Sequence, residues 1–220
     1  MINISVSEEI KSLCPNFAGA AIYAKVTNSS HNTDLWEQID EFVAKYKSSY
    51  KIEDIKKNPT ITAIREAYKR LGKDPNRYRP SSEALCRRIL RELPLYQIDT
   101  LVDLINLVSL HTGYSIGGFD ADKIQGDSLI LGVGKDGEPY EAIGRGTMNI
   151  EGLPVYRDTK GGIGTPTSDH ERTKINIGTT SILTIINGYS GKEGLSEAVD
   201  YMQSLLKKYT NSHDEEVIYF

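Results

Sequence analysis

The sequence predicts an α+β fold in which a helical N-terminal half, with one buried central helix, packs on mainly antiparallel sheets. Apolar residues recur at helical spacing through most of residues 33–112. Short β-branched runs separated by glycine-containing turns occupy residues 128–190, and an amphipathic segment follows them. Because helices and strands are grouped and do not alternate, a parallel sheet of repeated strand–helix–strand units is not expected.

Two short elements are predicted before the long helices. Ser7 precedes two glutamates and is a candidate N-cap for a short helix that ends at Pro15. Residues 17–26 (FAGAAIYAKV) then form a small, apolar run that is typical of a buried strand. One strand is therefore expected in the sheet ahead of the helical region.

Three amphipathic helices are predicted next. Apolar residues from Thr33 onward fall every three or four positions. A second helix is expected to begin at Pro59 and to stop at Gly72, and residues 81–93 repeat the same period before Pro94. Each helix has one apolar and one charged face, so each is expected to bury one side only.

A fourth helix, residues 100–112, is apolar almost all round and is predicted to be central and buried. Asp99 is its candidate N-cap, and Gly113 is its expected end. Asn106 and Ser109 lie three positions apart and therefore share one side of the helix. Polar groups in such a helix need partners, so both are either core hydrogen-bonding groups or the wall of a pocket facing residues 157–173.

The second half predicts strands. Residues 128–133 and 140–144, joined through the Asp136-Gly137 turn, read as a β-hairpin. Further strands are expected at 153–158, 173–178 and 181–187, with a helix at 195–209. The whole chain, 1–220, is interpreted as one domain with its core at about 14–209 and a tail at 210–220.

Composition limits the class of protein. With 39% hydrophobic and 25% charged residues in 220, the chain is typical of a globular protein, which excludes disorder, collagen and coiled coil. The two cysteines, Cys14 and Cys86, are too few for a disulfide framework and lack zinc-site spacing, so neither metal nor cofactor is expected. No N-terminal leader pattern or membrane-length apolar run is present, which favours the cytoplasm and no membrane partner.

Charge is unevenly distributed. The net charge of −4 argues against coating nucleic acid through bulk charge. Residues 69–91, however, hold eight cations and two anions, a local charge of +6. This stretch is either the solvated face of two helices or a phosphate-binding surface. The candidates for phosphate contacts are Arg77, Arg79, Arg87, Arg88 and Arg91.

Two glycine-containing segments are the candidates for chemistry. Residues 157–173 (RDTKGGIGTPTSDHERT) crowd glycines, hydroxyls and charges between two predicted strands, and their backbone amides are able to approach a ligand. Residues 111–120 end the buried helix and carry Gly117 and Gly118. The alternatives are a long surface loop with its own turns and a simple helix C-cap. Neither segment is a P-loop or a dinucleotide fingerprint, and no nucleophile elbow is present.

Three stretches together resemble a known family: residues 78–85, 98–120 and 161–173 are similar to the B3/4 domain of the phenylalanyl-tRNA synthetase β subunit, in a free-standing form. The likeness covers roughly residues 14–190. The positions where the middle block has the residue types of the bacterial pattern are Ile98, Asp99, Val102, Asp103, Asn106, Phe119 and Asp120.

The resemblance implies an α+β fold and an aminoacyl-tRNA ester as substrate. In the synthetase this domain edits, hydrolysing tyrosine wrongly esterified to phenylalanine tRNA. A chain without the synthetase core is then expected to bind tRNA and edit in trans, without aminoacylation and without a DNA partner. The family has a histidine two residues before the Phe-Asp pair, whereas this chain has Gly117. A non-catalytic pocket for a free amino acid or related metabolite is the alternative.

Roles follow from the resemblance and from side-chain chemistry. The amides of residues 161–165 are expected to face a developing oxyanion. Thr165, Thr167 and Ser168 are expected to position water or ribose hydroxyls, and Asp120, Asp158 or Asp169 to hold the substrate ammonium. Residues 158–173 and the turn at 114–120 should converge on one pocket. The full set expected to bind substrate is Asn106, Ser109, Gly117, Gly118, Asp120, Asp158, Gly161, Gly162, Gly164, Asp169 and Arg172.

Overall fold

The computed structural model describes residues 2–220, with helices mainly in the first half and strands mainly in the second. The α-helices are α1 (Glu8–Leu13), α2 (Thr33–Ser49), α3 (Pro59–Arg70), α4 (Ser81–Leu90), α5 (Thr100–Thr112) and α6 (Leu195–Thr210). The strands are β1 (Asn3–Val6), β2 (Ala18–Lys25), β3 (Ser115–Asp120), β4 (Ser128–Val133), β5 (Glu141–Ala142), β6 (Gly146–Thr147), β7 (Pro154–Asp158), β8 (Gly161–Gly164), β9 (Ser181–Gly188) and β10 (His213–Tyr219).

The predicted starts of α1 and α5 and the predicted end of α5 are confirmed by their caps, whereas the helix predicted at 81–93 ends at Leu90. Ser7 accepts a hydrogen bond from the Ile10 amide at the start of α1, and Asp99 accepts one from the Val102 amide at the start of α5. Gly113 ends α5 with φ of +80°, in the left-handed region where glycine has no steric cost. These local interactions explain why the helices could be placed from sequence.

The central sheet has the order β10-β2-β9-β3, and all its neighbours are antiparallel. Its two faces are both buried. Alternate residues of β2 and β9, such as Ile22 and Ile186, pack with α2, α5 and α6 on one side. Leu183 and Phe119 point to the other side. The sheet therefore lies between a helical layer and a second core.

The second core is closed by another sheet, of order β1-β4-β7-β8. Here β1 runs parallel to β4, and the other neighbours are antiparallel. Leu131, Val155 and Ile163 from this sheet pack with the apolar sides of α1 and α3. The predicted α+β class with a buried central helix on mainly antiparallel sheets is confirmed, since α5 buries most of its residues.

The predicted hairpin of residues 128–144 is wrong. β4 pairs with β1 and β7, strands distant in sequence, and residues 141–147 form the small β5-β6 pair instead. The turn at Gly137 exists, with φ of +66°, but the chain leaves the sheet after it because Tyr140 packs beside Gly162. The strand predicted at 173–178 is also wrong: Asn176 and Thr179 close a turn through reciprocal hydrogen bonds.

Three segments are more regular than predicted. The turn expected at 114–120 is strand β3, and residues 157–164 belong to the tight β7-β8 hairpin, so the loop proper begins at 165. Residues 213–219 of the expected tail form β10 on the edge of the central sheet. Ile4 of β1 and Ile10 of α1 also extend the core before residue 14. Glycine-rich and polar strands of this kind lack the alternation of apolar and polar residues by which strands are recognised in a sequence.

Candidate functional site

A cavity of about 750 Å³ opens beside β3, between α5 and the loop that follows β8; we call it the β3 cavity. Its long walls are apolar. Val102 and Ile105 come from α5, Ile116 comes from β3, and Ile175 closes the far side. Such a volume is in the range of pockets that enclose small organic ligands, about 300–1,000 Å³.

Four side chains bring unpaired polar groups to this apolar cavity. They are Ser81 from the start of α4, Asn106 from α5, and Ser168 and Asp169 from the loop after β8. Within residues 2–220 the Ser81 and Ser168 hydroxyls and the Asn106 amide have no hydrogen-bond partner in the chain. Ser109 also lines the wall, but its hydroxyl donates to the Tyr114 carbonyl oxygen at 2.6 Å. The cavity thus has few polar groups, and most are free for a ligand.

Asp169 is the one carboxylate on the cavity wall. Its Oδ2 accepts a hydrogen bond from the Gly118 amide at 3.1 Å, while Oδ1 accepts none from the described chain. Burial raises the pKa of this carboxyl from its usual value to about 7. A half-buried carboxylate with one hydrogen bond is stabilised by any cation or hydrogen-bond donor that reaches its oxygens.

Gly117 and Gly164 lie close to the Asp169 carboxylate and to the Phe119 ring. A Cβ at position 117 would lie 2.7 Å from the Phe119 ring and 3.5 Å from Asp169 Oδ1. A Cβ at position 164 would lie 2.5 Å from the same ring and 2.8 Å from Oδ1. The Phe119 ring therefore fills the space in which a side chain at position 117 would lie. Both glycines lie behind the cavity wall, whereas Gly118 lies on it.

The rim of the cavity is positive and apolar. Arg145 is exposed and has no ion pair among residues 2–220, and Lys174 is paired with Glu171. Ile98, Ile143 and Tyr96 are exposed on the same rim. An anionic group attached to a bound ligand would therefore meet cations at the mouth of the cavity.

Asp158 and Asp120, both expected to bind substrate, lie outside the cavity and hold turns. Asp158 forms a bidentate ion pair with Arg172, both contacts at 2.9 Å, and accepts the Gly161 amide. Burial would raise the Asp158 pKa, but Arg172 and backbone amides hold it below its usual value. Asp120 accepts the Thr179 hydroxyl at 2.9 Å and contacts Lys123. Both carboxylates therefore stabilise local structure, and their substrate-binding role stays a prediction.

The amides expected to form an oxyanion hole are engaged within the chain. Those of Gly161 and Thr165 donate to Asp158 Oδ1 and to the Ser168 carbonyl oxygen. Gly162 and Gly164 pair with β7 in the hairpin. The amides of Gly161 and Thr165 therefore have partners within the chain, and an oxyanion hole at residues 161–165 stays a prediction.

Two of the three expected hydroxyls are also engaged. Thr165 lines the cavity, but its hydroxyl donates to the Ser168 carbonyl oxygen and accepts the amides of residues 167 and 168. The Thr167 hydroxyl is buried 2.9 Å from the Tyr68 hydroxyl. Both shape the loop, and Ser168 alone of the three has a free hydroxyl in the cavity.

The arginines of the basic stretch divide into two groups. Buried Glu83 accepts Arg87 at 2.8 Å and Arg65 at 2.6 Å, with Arg79 at 3.6 Å. Arg79 and Arg87 are therefore partly neutralised. Arg77 and Arg91 are exposed and have no ion pair among the described residues. Arg88 stacks on Tyr96, with its guanidinium 3.8 Å from the ring centroid. The helix faces keep positive charge, and one arginine reaches the cavity rim.

Sequence reasoning missed part of the cavity. The lining residues that it did not name are Ser81, Tyr96, Ile105, Ile116, Ile143, Gly144, Arg145, Lys174 and Ile175, and Ile98 and Val102 were named only as positions of the family pattern. Most lie on connecting segments, which carry no periodic signal. Apolar side chains in the extended stretch between α4 and α5 were the available hint, but their exposure is known only from the fold.

Neither a metal site nor a membrane helix is found. Residues 2–220 contain no group of three or more His, Cys, Asp or Glu side chains placed to hold an ion. Across the same residues, every helix is too short or too polar to span a bilayer. Both cysteines are buried and free.

Comparison with known proteins places this cavity in a family context. No curated protein sequence matches the chain. An N-terminal fragment of the phenylalanyl-tRNA synthetase β subunit from Pyrococcus horikoshii has a similar fold, with a TM-score of 0.52 and 15% identity. The alignment covers 98% of this chain and 50% of that one, so the chain spans about half the length of that fragment. The model of the B3/4 domain matches residues 63–211, which include α4, α5, β3 and the loop after β8. The chain therefore belongs to the B3/4 domain family.

Proposed function

We propose that the β3 cavity binds the aminoacyl end of an aminoacyl-tRNA and promotes hydrolysis of its ester in trans, without aminoacylation. Membership of the B3/4 family and the fold shared with a phenylalanyl-tRNA synthetase fragment support a tRNA-related role. The observation that carries the proposal is the Asp169 carboxylate on an apolar cavity wall, which accepts only one hydrogen bond from residues 2–220. An aminoacyl ester offers an ammonium group, an apolar side chain and a polyanion on one molecule.

Each part of such a ligand has a counterpart in the site. The α-ammonium donates to the Asp169 carboxylate, which offsets the cost of desolvating that charge. The amino-acid side chain lies against Ile105 and Ile116. The RNA remains outside, where Arg145 meets its phosphates. The division of the cavity into an acidic interior and a basic rim gives the ligand one orientation.

Hydrolysis requires little more than orientation, because an aminoacyl ester is already activated. The Asn106 amide donates to the carbonyl oxygen as it becomes negative, and the Ser168 hydroxyl holds the attacking water. The water oxygen bonds to the ester carbon, the bond to the ribose oxygen breaks, and the water proton ends on that ribose oxygen. The products are a free amino acid and an uncharged tRNA.

Deacylation assays test this proposal with phenylalanine tRNA carrying either tyrosine or phenylalanine. We expect faster ester loss with protein present and selective loss of tyrosine. Asp169→Asn should weaken binding of the charged tRNA by about tenfold to a hundredfold, the range for a hydrogen bond to a charged group. Asp136→Asn, in an exposed turn, is the matched control. Equal binding of charged and uncharged tRNA, with ester loss at the rate of buffer alone, would overturn the proposal.

A second candidate is a non-catalytic pocket for a free amino acid or related metabolite. It is favoured by the amides of Gly161 and Thr165, which are engaged within the chain and so leave hydrolysis without that donor pair. In this function Asp169 binds the ammonium, and Arg145 binds the carboxylate of the ligand. Calorimetry with tyrosine and with tyrosine methylamide separates the two: tighter binding of the free acid favours the metabolite, and tighter binding of the amide favours the ester.

A further inference from the structure

We infer that Tyr96, backed by Arg88, is a stacking subsite for a nucleobase at the mouth of the β3 cavity, so that the cavity takes an aminoacyl nucleoside as a unit. The inference rests on the proposed function, because it concerns the nucleoside that carries the aminoacyl group. Tyr96 lines the cavity, and yet 64% of it is exposed. The Arg88 guanidinium lies 3.8 Å from the centroid of its ring. An aromatic ring is thus left open to a ligand beside a cation.

The segment that carries Tyr96 is fixed at both ends. On one side, Arg88 Nε donates to the Pro94 carbonyl oxygen. On the other, the Ile98 amide donates to Asp103 Oδ1 at 3.1 Å, and Trp36 Nε1 donates to Oδ2 of the same carboxylate at 2.8 Å. The exposed ring is therefore held in position before any ligand arrives, which lowers the entropy cost of binding.

The surroundings of Tyr96 favour a nucleobase over other flat ligands. Bases stack on tyrosine rings and on arginine planes, and such stacking tolerates any base. Arg145, which has no ion pair among residues 2–220, suits the phosphate attached to a nucleoside, and the one carboxylate of the cavity, Asp169, lies on its wall. Ile98, 54% exposed beside Tyr96, gives the sugar an apolar contact.

The size of the cavity agrees with this assignment. A volume of about 750 Å³ is larger than one amino acid fills and falls in the range that holds drug-sized molecules. With the ammonium at Asp169 and the side chain against α5, volume remains for a second group, and Tyr96 and Arg145 line the same cavity. The nucleoside occupies that space, so both halves of the ligand contribute to affinity.

Two non-hydrolysable ligands test the inference: tyrosine methylamide, and the amide of tyrosine with 3′-amino-3′-deoxyadenosine. Calorimetry gives both affinities. We expect the adenosine ligand to bind about five- to a hundredfold more tightly, the range for stacking one base on an aromatic side chain. Tyr96→Ala should bring this ratio toward one, and Tyr96→Trp should preserve it. Tyr50→Ala, at the end of α2 and also exposed, should leave the ratio as in the unsubstituted protein.

Each other outcome has a distinct meaning. Equal affinity for the two ligands, or a Tyr96→Ala variant that weakens both by the same factor, overturns the stacking subsite and leaves the aminoacyl pocket standing. Binding of neither ligand overturns the proposed function itself. The fluorescence of Trp36, the one tryptophan of the unsubstituted chain, verifies the native fold of the alanine variants, and far-UV circular dichroism verifies that of Tyr96→Trp.

Discussion

Replacing Asp169 by Asn should make the stability of the protein less dependent on pH. The folded-state pKa of about 7 lies above the ordinary value of 3.8, so the folded protein binds more protons than the unfolded chain between about pH 4 and pH 7. Asp169 therefore favours folding least above pH 7 and most below pH 4. In this window, stability falls as pH rises.

The size of this effect follows from the same two values. A difference between 3.8 and about 7 corresponds to an upper limit of about 4 kcal/mol, at about 1.4 kcal/mol for each pH unit. Solvent at the open side of the cavity screens the charge, so we expect about 1–3 kcal/mol. The Asn side chain keeps an oxygen to accept the Gly118 amide, which leaves the local geometry in place.

Urea unfolding at pH 4.5 and pH 8 measures the effect. We expect Asp169→Asn to gain stability relative to the unsubstituted protein as the pH is raised, with an unchanged m-value. Comparing the two proteins at each pH cancels the contribution of all other titrating groups. Parallel stability curves at the two pH values would refute the argument that burial raises the pKa of this carboxyl.

Further predictions concern the residues that shape the site. Asp158→Asn should lower the free energy of unfolding by about 2–4 kcal/mol at pH 7. The loss should be smaller in acid, because the lowered pKa of Asp158 means that its charged form stabilises the fold only above that pKa. Urea unfolding at the two pH values measures both losses. Gly164→Val should lower the free energy of unfolding by about 1–3 kcal/mol, since the Cβ of the valine would lie 2.5 Å from the Phe119 ring. An unchanged melting temperature together with lost ligand binding would contradict this prediction. Glu83→Gln should lower the free energy of unfolding by about 3–5 kcal/mol, because it leaves the buried Arg65 guanidinium without its anion. A loss below about 1 kcal/mol in urea unfolding would contradict this prediction.

The helices were predictable from sequence because their signals are local. Asp99, Pro59 and Gly113 mark helix ends through hydrogen bonds and dihedral preferences within a few residues. Strand pairing is different. The parallel contact of β1 with β4 joins residues more than a hundred positions apart, and nothing near Asn3 encodes it.

The site was predictable in part. Asn106, Ser168 and Asp169 line the cavity, and they were singled out because a buried helix with polar residues and a glycine-rich loop both need an explanation beyond packing. Asp158 caps the β7-β8 hairpin, and sequence alone does not distinguish such a carboxylate from one that binds a ligand. Tyr96 was missed because exposure beside a cavity depends on the path of a connecting segment.

β3 is the edge of the central sheet, since it pairs with β9 alone. Along an edge strand, every second residue directs its amide and carbonyl away from the sheet. At Gly118 the outward amide donates to the Asp169 carboxylate, which replaces the hydrogen bond that a neighbouring strand would accept there. A residue at 169 that cannot accept this hydrogen bond would leave the Gly118 amide unpaired on the edge of the sheet. An extended polypeptide could then pair with β3 along that edge. Asp169→Ala, unlike Asp169→Asn, would therefore remove the charge from the cavity and also create a new place for chains to associate.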